Sequence, residues 1–148
     1  MAAKNIGKMS WDEFDKGVFL VNTIGIVFDT KTRKILIGRR ENDEYVPKLT
    51  WCFPGGRPSV GEDLEKALER KIKEYTGLKV KSLGAIFARN PPDEERVLII
   101  YYLCEVIGGE EKAGGKLVDL HWVGPEELED YFTTSLDPRL KEHIMHLK

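Results

Sequence analysis

The sequence has few cysteines and no long apolar run, and both facts narrow the range of possible proteins. Its two cysteines among 148 residues, Cys52 and Cys104, are far apart and lack zinc-ligand spacing. A disulfide framework would need more of them, so we expect buried free thiols and a reducing compartment. No apolar run approaches the ~20 residues of a membrane-spanning helix, and the N-terminus has no signal-peptide pattern. The sequence therefore predicts a cytoplasmic protein that does not enter a membrane.

An excess of charge of one sign is also missing. The formal net charge is -2, so the chain has no overall basic bias toward nucleic acid or an anionic membrane. The three histidines have no metal-ligand spacing. A length of 148 residues with 41% hydrophobic residues suits one domain with one substantial core. We predict a single domain over residues 1–148, in which residues 1–17 form an N-terminal extension with a short helix from Ser10 to Lys16.

Strands and helices interleave along the rest of the chain. Apolar, β-branched segments predict five strands, at Val18–Asp29, Lys34–Gly38, Lys79–Ala88, Val97–Ile107 and Leu117–Val123. A turn joins the first two strands, which predicts a hairpin. Pro125 and Pro138 each stand at the first position of a short helix. This order predicts an α/β fold, in which helices cover both faces of a mixed sheet.

The central segment runs from Gly55 to Leu78 and combines a glycine turn with a charged helix. Ser59 and Glu62 form a capping-box pattern, which predicts a helix from near Val60 to Thr76, and Gly77 ends it. One stripe of this helix is apolar and consists of Leu64, Ala67, Leu68, Ile72 and Tyr75. A charged edge runs along the stripe and consists of Arg70, Lys71 and Glu74.

Two interpretations of the charged edge are open. An ordinary amphipathic helix has a solvated charged flank of this kind. However, Gly55 and Gly56 directly precede the helix, and adjacent glycines allow a ligand to approach the backbone closely. The free N–H groups at a helix N-terminus also favour anions. The functional interpretation is therefore an anion site.

This segment resembles the Nudix box of the MutT-like hydrolases. The family pattern is a glycine, five residues, a glutamate, seven residues and then Arg-Glu-apolar-x-Glu-Glu-x-Gly-apolar. The matching positions are Gly56, Glu62, Arg70, Ile72, Glu74, Gly77 and Leu78. Two positions depart from the pattern. Lys71 stands where the family has a glutamate assigned as catalytic base or metal ligand, and Tyr75 replaces the second glutamate of the metal-binding pair.

The resemblance implies an α/β/α sandwich with a mixed sheet, and hydrolysis of a nucleoside diphosphate linked to another group. It implies Mg²⁺ or Mn²⁺ as cofactor, because a divalent ion neutralises the diphosphate and activates water. Glu62, Arg70 and Glu74 are the implied catalytic residues. Gly55, Glu62 and Glu74 are the implied metal ligands. Since two glutamates are replaced, we expect fewer metal ions than usual.

The implied substrate-binding residues are Arg39, Arg40, Gly55, Gly56 and Lys71. Guanidinium groups match phosphate oxygens, although two exposed arginines at a strand end are the plain alternative. A further carboxylate could come from one of two loops, from Glu94, Glu95, Glu110 or Glu111, although an ordinary surface charge is the favoured interpretation of each. The expected ligand is a small nucleotide, and a homodimer is common in the family.

Three functions are therefore open. The first is a metal-dependent Nudix hydrolase with a reduced metal site. The second is a Nudix-fold protein that binds a nucleotide without cleaving it, which Lys71 and Tyr75 favour. The third is a structural or partner-binding domain. In the ligand-free protein we predict that Lys71 pairs with Glu74, since residues three apart are neighbours on a helix.

Overall fold

A mixed β-sheet with helices on both faces forms the fold in the computed structural model, which describes residues 5–6, 9–10, 17–41, 50–132 and 136–147. The strands are β1 (Asn5–Ile6), β2 (Met9–Ser10), β3 (Leu20–Asp29), β4 (Lys34–Arg40), β5 (Trp51–Cys52), β6 (Gly55–Gly56), β7 (Leu78–Arg89), β8 (Val97–Gly109) and β9 (Leu117–Val123). The helices are α1 (Leu64–Thr76), α2 (Leu128–Tyr131) and α3 (Pro138–Met145). A 3-10 turn (Pro125–Glu127) precedes α2.

The predicted strands and the predicted hairpin are confirmed. The main sheet has the order β5-β4-β3-β8-β7, with β9 beside β4 and β6 beside β3. Strands β3 and β8 are parallel, with Leu20 opposite Val97, whereas the other pairs are antiparallel. Strand β4 continues past the predicted end at Gly38 to Arg40. The predicted helix from Ser10 to Lys16 lies outside the described residues except for Ser10, which ends β2.

Two apolar cores lie on opposite faces of the main sheet. Helix α1 covers one of them, whose buried residues are Val27, Leu36, Leu68, Ile72, Leu78, Val80, Tyr102 and Cys104. Helices α2 and α3 cover the other, which includes Ile26, Phe28, Ile35, Ile37, Phe53, Tyr101, Val123, Leu128, Leu140 and Ile144. Successive strand residues point to alternate faces, so the nearly continuous apolar runs of β3 and β4 supply both cores. This arrangement confirms the predicted α/β/α sandwich.

The start of α1 differs from the prediction. The helix begins at Leu64 rather than near Val60, and the carboxylate of Asp63 caps it by accepting a hydrogen bond from the Lys66 N–H. Ser59 and Glu62 form a separate turn, in which the Ser59 N–H donates to the Glu62 carboxylate at 2.9 Å. Gly61 has φ +88°, which breaks the helical path between that turn and the helix. Asp63 therefore already satisfies one N–H group of the first turn, and the anion site at the glycine turn stays a prediction.

The apolar stripe of α1 is buried from its second turn onward. Leu68 and Ile72 are fully buried, and Tyr75 is 8% exposed. Leu64 is 37% exposed, contrary to the prediction, because it is the first residue of the helix and lies at its end. Gly77 ends the helix in the left-handed conformation at φ 75°, as predicted. None of the helices described is long and apolar enough to span a membrane.

Candidate active site at the glycine turn and helix α1

The glycine turn is fixed directly against strand β3. Gly55 and Gly56 pair with Ile24 and Thr23, and the Thr23 hydroxyl donates to the Gly56 carbonyl at 3.0 Å. A Cβ atom at Gly55 would lie 2.2 Å from the Thr23 carbonyl oxygen. Because no side chain fits there, glycine at this position is a packing requirement of the turn.

Helix α1 lies close over the same strand. A Cβ atom at Gly25 of β3 would lie 2.6 Å from the Ile72 Cδ1 atom, so glycine allows the helix to approach the sheet. The Lys71 side chain, one residue earlier, lies along Gly56. Its Cγ and Cδ atoms are 3.3 and 3.4 Å from the position of a Cβ atom there. The charged edge of α1 is therefore next to the glycine turn.

Lys71 pairs with Glu74, which confirms the predicted contact. The Lys71 Nζ atom lies 3.5 Å from Glu74 Oε2. The same nitrogen lies 5.7 Å from the centroid of the Tyr75 ring, within the range of a cation–π contact. The Lys71 side chain is 26% exposed, whereas that of Glu74 is 49% exposed. The lysine is therefore the more enclosed member of the pair.

Arg70 of α1 and Glu62 of the preceding turn form a second ion pair. The Arg70 Nη2 atom lies 3.1 Å from both carboxylate oxygens of Glu62, and Nε lies 3.3 Å from Oε2. The pKa of Glu62 is lowered, first by the hydrogen bond from the Ser59 N–H and then by Arg70. These contacts tie the turn before α1 to the helix. The catalytic and metal-binding roles expected of Glu62 and the catalytic role of Arg70 stay predictions.

Tyr75 belongs to the core and not to the charged edge. A Cβ atom at Gly115 would lie 2.4 Å from the Tyr75 Cδ1 atom, so the loop after β8 packs against the ring. The same loop caps the end of α1, because the Gly114 N–H donates to the Tyr75 carbonyl at 3.0 Å and the Lys112 N–H donates to the Thr76 carbonyl at 2.8 Å. Tyr75 thus anchors this loop on the helix.

An open cavity of about 610 Å³ lies between that loop and the end of α1. Its lining residues include Glu74, Glu110 and Glu111. Glu111 accepts a hydrogen bond from the Trp122 indole N–H at 2.6 Å. Of the four loop carboxylates considered from the sequence, these two share a cavity with Glu74. The other two, Glu94 and Glu95, lie in the turn before β8, at the other end of that strand.

Comparison with known proteins identifies the family. A sequence model of the NUDIX domain matches residues 18–146. The chain belongs to the Nudix family. It is 42% identical over 87 residues to an ADP-ribose pyrophosphatase of Methanocaldococcus jannaschii, an alignment that covers 57% of this chain and 50% of the relative. The chain therefore matches about half the length of that relative.

Solved Nudix structures share the fold. An ADP-ribose pyrophosphatase from Streptococcus suis superimposes with a TM-score of 0.63 at 23% identity, covering 86% of this chain and 87% of that one. A NUDIX hydrolase from Nitrosomonas europaea gives a TM-score of 0.70 at 17% identity, covering 86% and 71% of the two chains. At these identities the likeness establishes the α/β/α fold alone.

Nudix hydrolases generally use divalent metal ions, which are held by oxygen ligands such as carboxylates. Within the described part of the chain, no three His, Cys, Asp or Glu side chains are grouped so that they could hold a metal. The two edge carboxylates, Glu62 and Glu74, are each paired with a cation. The described residues therefore do not fit a multi-carboxylate metal site.

Arg39 and Arg40 diverge, because neighbouring strand residues point to opposite faces. Leu36 lies in the core under α1 and Ile37 in the opposite core, so Arg40 shares the α1 face and Arg39 does not. The Arg39 Nη1 atom donates to Glu41 at 2.8 Å. Phosphate contact stays a prediction for both, and strand alternation favours Arg40.

Sequence reasoning missed residues that become neighbours only in three dimensions. Thr23 and Gly25 lie in an apolar run, where the glycine was the only local sign of a close approach. It also missed the ring cluster of Trp51, His121 and Tyr131 on the sheet face opposite α1. The Trp51 ring centroid lies 4.7 Å from that of His121 and 5.5 Å from that of Tyr131. These rings pack along the margin of the core under α2.

Proposed function

We propose that this protein hydrolyses a nucleoside diphosphate linked to another group, at the junction of the glycine turn and α1. The observation that carries the proposal is the placement of Lys71 along Gly56, with the backbone of the turn against β3. This junction therefore carries a cation fixed beside the turn. A cation there suits a diphosphate, because the diphosphate oxygens carry the charge that a hydrolase must stabilise.

The proposed roles follow from these contacts. Lys71 supplies positive charge beside Gly56, and Gly55 allows the turn to pack against the Thr23 carbonyl of β3. Arg40, on the same face as α1, supplies a second cation. Arg70 and Glu62 hold the turn and helix in register through their ion pair.

We further propose that the protein works with fewer divalent ions than its relatives. Among the described residues Glu74 pairs with Lys71 at 3.5 Å, whereas Arg70 holds Glu62 through several bonds at 3.1–3.3 Å. Glu74 and the Gly55 carbonyl are therefore the proposed donors for Mg²⁺ or Mn²⁺. Because one or two carboxylates with substrate phosphates and waters suffice for Mg²⁺, this minimal set is chemically reasonable.

ADP-ribose is the first substrate to test. The relative from Methanocaldococcus jannaschii is named an ADP-ribose pyrophosphatase, and its aligned region covers 57% of this chain. Binding without cleavage is the second candidate. The ion pair between Lys71 and Glu74 favours it, because the ammonium lowers the availability of the carboxylate and repels a dication.

One experiment separates the two functions. ADP-ribose, dinucleoside polyphosphates, nucleotide sugars and nucleoside triphosphates are incubated with the purified protein and Mg²⁺ or Mn²⁺, and products are separated by chromatography. Calorimetry measures the binding of each compound in parallel. Cleavage of any compound with release of a nucleoside monophosphate supports the hydrolase. Binding with no cleavage supports the second candidate, and neither binding nor cleavage contradicts both.

A further inference from the structure

The charged edge of α1 carries a fixed cation at a position where the Nudix pattern has a carboxylate. We propose that the Lys71 ammonium is a built-in counter-cation for a diphosphate group, so that this edge binds a diphosphate without any divalent ion. The inference rests on the proposed function, because it concerns the same diphosphate site. It goes beyond it by making the binding step independent of metal.

The first support is the position of the lysine. Its Cγ and Cδ atoms lie against Gly56, 3.3 and 3.4 Å from where a Cβ atom would be. Since Gly56 has no side chain, the lysine stem packs directly on the turn. The ammonium lies beyond the stem, beside Glu74 and the Tyr75 ring, so a positive charge is held at the edge next to the turn.

The second support is that the side chain is already ordered. Its nitrogen lies 5.7 Å from the Tyr75 ring centroid, and the side chain is 26% exposed. Tyr75 is itself buried and is packed against the loop after β8. A lysine held in this way loses less side-chain entropy on binding an anion than a fully solvated one.

The third support is that its present partner is exchangeable. The 3.5 Å distance between Lys71 and Glu74 is longer than the ~2.7–3.2 Å of a hydrogen bond. The Glu74 side chain is 49% exposed, and exposed ion pairs of this kind contribute little free energy. A diphosphate carries more negative charge than one carboxylate, and an ammonium has three donors. The diphosphate can therefore displace Glu74.

The other two cations near Lys71 on α1, Arg70 and Lys73, each have a partner of their own. Arg70 pairs with Glu62, and the Lys73 ammonium donates to the Gly77 carbonyl at 3.0 Å. Replacing the two family glutamates by Lys71 and Tyr75 also removes negative charge that would hold a dication. The same two replacements that weaken a metal site thus make this edge attractive to an anion.

Isothermal titration calorimetry with inorganic pyrophosphate in EDTA tests the inference. We expect the wild-type protein to bind pyrophosphate, and Lys71→Met to weaken binding by about tenfold or more, as for loss of a charged hydrogen bond. Lys73→Met makes the same charge change two residues away and is the matched control, with an expected change under about twofold. Lys71→Arg keeps the charge and should retain most of the affinity.

A gain-of-affinity variant makes the test independent of any folding defect at Lys71. Glu74→Gln removes the competing carboxylate, and pyrophosphate affinity should rise by up to about fivefold. No binding in EDTA, or equal losses in Lys71→Met and Lys73→Met, overturns the inference. If pyrophosphate binds only when Mg²⁺ is present and ADP-ribose is cleaved, the inference fails while the proposed function stands. If pyrophosphate binds without metal and no substrate is cleaved, the inference stands and the proposed hydrolase function fails.

Discussion

Restoring the family glutamate at position 75 should damage the fold. Tyr75 is 8% exposed, its ring contacts the site of a Gly115 Cβ atom at 2.4 Å, and its carbonyl accepts the Gly114 N–H. Replacing a buried aromatic residue by a much smaller one costs roughly 3–5 kcal/mol. Glutamate keeps some volume, but it brings a carboxylate into a place that water reaches poorly. We therefore expect Tyr75→Glu to lower the free energy of unfolding by about 3 kcal/mol.

Urea denaturation followed by tryptophan fluorescence and circular dichroism measures this change. Tyr75→Phe is the matched control, because it keeps the ring and removes only the hydroxyl; its loss should stay below about 1.5 kcal/mol. A Tyr75→Glu protein within about 1 kcal/mol of the wild type, which is the range of ordinary surface changes, would refute the assignment of Tyr75 to the core.

Four further predictions concern the site and its surroundings. Lys71→Glu should raise the affinity for Mn²⁺ by about tenfold or more, since a unit charge ~4 Å from a dication interacts by about 2 kcal/mol in water; unchanged affinity in a calorimetric titration would show that Lys71 does not control the metal. Gly55→Ala should lower the melting temperature, because its Cβ would lie 2.2 Å from a carbonyl of β3, whereas Gly108→Ala meets nothing within 4 Å and is the control. The pKa of Glu62 is lowered in the folded protein. The ionised carboxylate therefore stabilises the fold above the ordinary pKa of 4.5, and this stabilisation is lost as the pH falls through the folded pKa. The urea midpoint of Glu62→Gln should vary less with pH in that acid range than the midpoint of the wild type. Burial raises the pKa of the Cys104 thiol to about 12, so a thiol reagent at pH 8 should label it only after denaturation. Because Cys52 is a half-buried free thiol, the labelled site is identified by peptide mapping, and rapid labelling of Cys104 in the folded protein would contradict this.

Periodicity predicted the faces of α1 correctly, because burial follows the helical repeat once a helix exists. The stripe through Leu68 and Ile72 is buried as expected, and the Lys71–Glu74 pair follows from spacing alone. The capping pattern at Ser59 misled the prediction of the helix start. The hydrogen bond from the Ser59 N–H to the Glu62 carboxylate does form, but it closes a separate turn before the helix and does not cap the helix. Local hydrogen bonding cannot distinguish the two cases without the conformation of Gly61.

Contacts between distant parts of the chain were beyond prediction from local pattern. Tyr75 and Gly115 are neighbours only because β7 and β8 return the chain to the end of α1. In the same way, Thr23 reaches Gly56 through the pairing of β3 with β6. The sequence named Gly56 and Lys71 as candidate site residues, and the fold brings these two together. The role that the loop after β8 gives to Tyr75 emerged only from the fold.

The two departures from the Nudix pattern have different physical effects, one on charge and one on packing. This difference decides which residue can be changed back to glutamate without damage to the fold. Lys71 lies at a partly exposed edge with its stem on Gly56, so replacing it by glutamate changes mainly the charge of the site. Tyr75 occupies the core, where its ring supports the loop that contributes Glu110 and Glu111 to the cavity beside Glu74. Restoring glutamate at position 75 would therefore add a carboxylate and release the loop that carries two others. A metal site of the usual kind cannot be rebuilt by reverting both residues, because the second reversion removes the support of the loop carboxylates.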